Sequence, residues 1–93
     1  MLRVLFYLAL LAVVRADEMP PEPRLARRVG CDVQQIETRG DAFEGWWRLY
    51  VWADYGAGER WRRLYSVRDK RWRAFRDCDR WLDRVRAAAR GRR

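Results

Sequence analysis

The chain has no histidine, one serine (Ser66), one threonine (Thr38) and one lysine (Lys70) among its 93 residues. Without histidine, the commonest general acid–base and the commonest metal ligand are missing. Neither a Ser–His nor a Cys–His nucleophile pair can form. Most carboxylates sit beside arginine in linkers, turns or the wet face of an expected helix, where solvated charge is the simple reading. No cluster of acids or cysteines has metal-ligand spacing, and no Gly-rich phosphate loop precedes a helix. The protein is therefore expected not to be an enzyme, with no catalytic residue, cofactor or metal site.

Long apolar runs are scarce as well. The longest is Val4 to Val14, after the positive start Met1-Leu2-Arg3. As a helix it would span only ~16 Å, against ~30 Å for a bilayer core, which argues against a stable transmembrane anchor. Val14-Arg15-Ala16 has the small or branched residues that a signal peptidase reads, with cleavage before Asp17. Residues 1–16 are expected to be a signal peptide and the mature chain to be exported, periplasmic or secreted. The alternative is a core segment of a cytosolic protein.

Cysteine is limited to Cys31 and Cys78. A chain of this length makes one domain and buries little core, so a staple is valuable. Export and an even cysteine count predict a Cys31–Cys78 disulfide. Closing that loop contributes roughly 4 kcal/mol in the chain-entropy description. Two buried free thiols are the alternative; a redox pair would normally lie in a Cys-x-x-Cys motif.

Arginine and aromatic residues are plentiful. Lys plus Arg total 21 against 13 acids, a net charge of +8, and aromatics make up 14% of the chain. The aromatic content supports a packed core. Residues 17–28, with Pro20, Pro21 and Pro23, read as a Pro-rich flexible linker. Residues 29–93 then form a single small domain. Val29–Glu37 alternates as a strand, and Thr38–Asp41 is a turn. That turn contains Arg39-Gly40-Asp41, an integrin-type tripeptide whose three letters carry little weight.

Phe43–Asp54 and Glu59–Val67 read as a hairpin around Tyr55–Gly58. Trp72–Phe75 reads as a further short strand. From Asp77, the apolar positions Cys78, Trp81, Leu82, Val85, Ala88 and Ala89 trace one helix face. Asp77 is expected to cap that helix and to begin a wet stripe with Arg80, Asp83 and Arg86. Gly91 ends it. The expected fold is α+β: a small antiparallel sheet of three or four strands with one C-terminal amphipathic helix on one face, following the signal peptide.

Hairpin register decides which residues face solvent. With a four-residue loop, Trp52 lies opposite Trp61, Tyr50 opposite Arg63 and Arg48 opposite Tyr65. Trp46, Arg48, Tyr50, Trp52, Trp61, Arg63 and Tyr65 then form one aromatic–basic face, a candidate binding face if nothing covers it. Residues 29–37, the linker or a second subunit are possible covers. With a loop one residue shorter, Trp61 joins Val51 and Tyr65 joins Trp47 on the core side.

The resulting functional expectation is an exported, basic, non-enzymatic binding module. Its partner would be an anionic envelope component or an acidic protein. Nucleic-acid binding, through the same sheet and the Arg-rich C-terminus, is the alternative if residues 1–16 are not removed. A membrane-active, toxin-like peptide fits least well. The intact mass of the protein from its host tests the frame. The expected product starts at Asp17 and lacks both thiol hydrogens; a full-length, reduced chain would overturn export and the disulfide together.

Overall fold

The structure, a computed structural model, describes residues 18–91. The expected signal segment, residues 1–16, lies outside them. Arg28–Gln35 (β1), Trp47–Gly56 (β2) and Glu59–Arg68 (β3) form one antiparallel sheet in the order β1-β2-β3. The helix Arg71–Arg90 (α1) packs on one face. This is the expected small α+β fold, with three strands. Among the described residues no helix is long and apolar enough to cross a membrane.

The hairpin closes more tightly than a four-residue loop. Gly56 pairs with Glu59, which leaves Ala57 and Gly58 as the turn. Both have positive φ, 51° and 81°, the signature of the two-residue turn whose twist matches that of paired strands. Tyr55 has no partner at a register shift between Asp54 and Gly56, so Trp61 pairs with Ala53, and Arg62 with Trp52. The register at this end is the shorter-loop alternative. Further along, Tyr65 is an extra residue between the pairs Tyr50–Leu64 and Leu49–Ser66. This bulge lets Tyr65 and Ser66 both be buried.

The core lies between sheet and helix. It comprises Leu49, Val51, Tyr65, Cys78, Trp81 and Val85, with Val29, Cys31, Val33, Trp61 and Leu82 packed around them. The fully buried Trp81 stacks parallel to Trp61 at 6.2 Å and meets Tyr65 edge-on at 6.5 Å. Cys31 on β1 and Cys78 on α1 form the expected disulfide, with Cα atoms 6.1 Å apart.

Two expectations about the helix are corrected. It begins at Arg71 rather than Asp77, so Trp72–Phe75 is its first turn and not a strand. The buried stripe reaches back to Ala74, four residues before Cys78. Asp77 accordingly neither caps the helix nor faces water. It is 2% exposed and takes two bonds from Arg68, Nε to Oδ2 at 2.7 Å and Nη2 to Oδ1 at 3.1 Å.

The Pro-rich segment, expected to be a flexible linker, lies against the domain from residue 18. Trp81 Nε1 donates to the Glu18 carbonyl at 2.9 Å, Met19 packs on the core, and Pro20 is buried. The Tyr55 hydroxyl donates to the Pro21 carbonyl. Burial, and then the Glu22 charge, raise the Tyr55 pKa above its ordinary value, which keeps this donor protonated. The segment then turns through a short 3-10 helix, Pro23–Leu25, with a proline at its first position, where the missing N–H would have no partner within the helix.

The Arg68–Asp77 pair generates a test. Arg68→Ala leaves a buried carboxylate unpaired and is expected to cost roughly 3–5 kcal/mol. Replacing both residues, Arg68→Met with Asp77→Leu, should cost less than Arg68→Ala alone in denaturant unfolding. A double variant as unstable as the sum of its singles would contradict this account.

Candidate binding face

Strand pairing places four three-residue rows on the sheet face opposite the helix. They are Arg28–Asp54–Arg60, Gly30–Trp52–Arg62, Asp32–Tyr50–Leu64 and Gln34–Arg48–Val67. The helix covers the other side, and these rows are open except at Val67, which is 7% exposed. The Arg28 side chain is 71% exposed, and those of Asp32 and Arg62 about half.

Trp52 is the centre of this face because Gly30 is its neighbour. A Cβ on Gly30 would lie 2.5 Å from Trp52 Cζ2 and 2.8 Å from Cε2. The missing side chain is the space that the indole fills, so the ring lies across β1. Beside it, the Arg62 guanidinium sits 3.9 Å from the centre of the Tyr50 ring and 3.9 Å from Asp32 Oδ2. Arg28 Nη2 donates to Asp54 Oδ2 at 3.1 Å. Together Arg28, Asp32, Trp52, Asp54, Arg60, Trp61 and Arg62 line an open cleft of about 430 Å³.

Asp54 is held below the usual carboxylate range. The Gly56 backbone N–H is the main cause and the Arg28 hydrogen bond the second. It therefore stays ionised near neutrality and is a poor proton acceptor, so its visible role is to orient Arg28. The guanidinium forks supply paired donors that match phosphate or carboxylate, and the indole supplies a flat apolar floor. That combination suits binding. Among the described residues no three of His, Cys, Asp and Glu come together as a cation site.

The structure divides the seven residues expected to share one face. Arg48, Tyr50 and Trp52 are on the open side. Trp61 and Tyr65 are on the helix side, against Trp81. Arg63 pairs with Val51 at the β3 edge, where its Nε lies 3.6 Å from Glu18 Oε1. Trp46 precedes β2 and packs edge-on against Phe43 at 5.0 Å. The cations that do join Trp52 are Arg28, Arg60 and Arg62. Under a four-residue loop Arg60 and Arg62 would instead lie at the edge of the helix-side face. Their alternation with Trp61 was the available signal, and the turn length was needed to read it. In the Arg39-Gly40-Asp41 turn, Asp41 Oδ1 accepts from the Phe43 N–H at 2.8 Å.

No known protein family matches the chain, and no curated protein or solved structure matches it either.

The seating of Trp52 on Gly30 can be checked by a double-mutant cycle. Gly30→Val should destabilise the protein by roughly 1–3 kcal/mol through overpacking, despite valine's preference for strands. In a Trp52→Ala background most of that cost should vanish, as read by denaturant midpoints. An equal cost in both backgrounds would contradict the geometry.

Proposed function

We propose that the protein is a small exported binding module, non-enzymatic, which engages an anionic partner through the open face of its sheet. The observation that carries this reading is the indole of Trp52, laid across Gly30 and ringed by Arg28, Arg60 and Arg62. Arginine presents a planar, permanently charged fork with a weaker hydration shell than lysine, which suits desolvated contacts to phosphate or carboxylate. An aromatic floor adds apolar contact where one side of the ligand stays wet. Asp32 and Asp54 hold two of the forks in place, so less freedom is lost on binding. The Cys31–Cys78 disulfide is compatible with an oxidising compartment and so with periplasmic or secreted localisation. The partner class is an anionic envelope polymer, such as a polyol phosphate, or an acidic protein surface.

The test is a titration with poly(glycerol phosphate), poly-glutamate and single-stranded DNA at several salt concentrations, followed by the indole resonance of Trp52. Either of the first two should move that resonance, and Arg28→Gln with Arg62→Gln should weaken binding by roughly tenfold or more. Binding that leaves Trp52 unmoved would overturn the reading. DNA binding far tighter than binding to the other polyanions, and dependent on Trp52, would transfer the face to nucleic-acid stacking.

A further inference from the structure

A second aromatic–arginine surface lies away from the sheet cleft, on the outward side of the first two turns of α1. Trp72 is 57% exposed and Phe75 45% exposed, and they are three residues apart on one helix face. Arg73 and Arg76 lie 5.3 and 5.1 Å from the Trp72 ring centre. Arg71 lies 5.2 Å from that of Phe75 and 5.6 Å from that of Trp47. Lys70 is exposed beside them; the exposed acids nearby are Asp69, which is paired with Arg73 at 3.3 Å, and Asp79. Cations therefore outnumber acids around two rings that the fold leaves in water.

We propose that this patch seats the protein peripherally on an anionic lipid bilayer, with Trp72 and Phe75 at headgroup depth and the surrounding arginines on lipid phosphates. The arrangement of each guanidinium over a ring favours a bilayer over a protein pocket. A dry pocket that engulfed either ring would strip water from its guanidinium, at a large cost unless a matched anion were supplied. The headgroup layer offers phosphate and water at the same depth as a place for the ring, and Trp is the side chain enriched there. Two partly exposed rings are also far less than the ~800 Å² per partner of a standard protein interface. The seating is peripheral, since no described helix is long and apolar enough to span. This proposal does not depend on the sheet face: it concerns a different surface and different residues.

The full chain, disulfide intact, is mixed with vesicles of phosphatidylglycerol brominated near the carboxyl end of the acyl chains, which quench indole emission at short range. Quenching is expected on wild type, and Trp72→Phe should remove a component that Trp52→Phe leaves in place. Both positions are partly exposed, so both variants should keep the fold, checked by an intact disulfide and circular dichroism. Arg71→Gln with Arg76→Gln should reduce the preference for phosphatidylglycerol over phosphatidylcholine vesicles by roughly tenfold or more. No quenching, or quenching unchanged by Trp72→Phe, would overturn the proposal. So would a Trp72-dependent dimer in sedimentation velocity without quenching, which would assign the patch to a second copy of the chain.

Discussion

The burial of Trp81 is the contact on which the sheet, the helix and the N-terminal segment converge. Its ring stacks on Trp61 and abuts Tyr65, so it selects the side of the hairpin that becomes core. Its one polar atom is satisfied by the Glu18 carbonyl. A buried indole N–H without an acceptor is costly, which makes the Pro-rich segment part of the domain. With Trp61 and Tyr65 drawn inward, the alternate β3 residues Arg60 and Arg62 are left on the opposite face beside Trp52.

Three kinds of constraint reinforce that choice. The disulfide joins the middle of β1 to the second turn of α1. The Arg68–Asp77 pair ties the end of β3 to the same stretch of helix. The bulge at Tyr65 repairs a conflict between the turn and the core. Tyr55 is left unpaired between Gly56–Glu59 and Asp54–Arg60, a shift that if continued would pair Leu49 with Tyr65, whereas the extra residue at Tyr65 restores the register of the turn and buries Tyr65 and Ser66 together. Glycine at position 30 acts on the other face, where it clears a seat for the Trp52 ring.

The aromatic and basic residues thus separate into three environments. Trp61, Tyr65 and Trp81 are structural. Trp52 and Tyr50 share the open sheet with Arg28, Arg60 and Arg62. Trp72 and Phe75 stand on the helix with Arg71, Arg73 and Arg76. Guanidinium groups recur over rings in the last two sets, which is favourable at a water boundary because the cation keeps much of its solvation. The two open surfaces belong to different elements, so each can be altered without the other.

Much of the fold was legible from local pattern. Strand alternation, the glycine-bearing turn and the Cys78–Trp81–Val85 spacing identified a hairpin and a helix, and the lone cysteine pair identified the staple. The hairpin and helix rest on neighbours along the chain, and the staple on there being no other cysteine to pair with. The candidate site was legible only in part. Arg48, Tyr50 and Trp52 were assigned to one face correctly among themselves, because they share a strand and its period of two. Their cross-strand partners depended on the turn length and on two one-residue register shifts, at Tyr55 and Tyr65, and each such step exchanges the faces of the strand beyond it. The aromatic composition of Trp72–Phe75 suggested a strand, while the helix stripe through Ala74, Cys78 and Trp81 prevailed because burying it completes the core. Composition and periodicity determined which elements form; long-range packing around Trp81 decided which arginines and rings meet in the open.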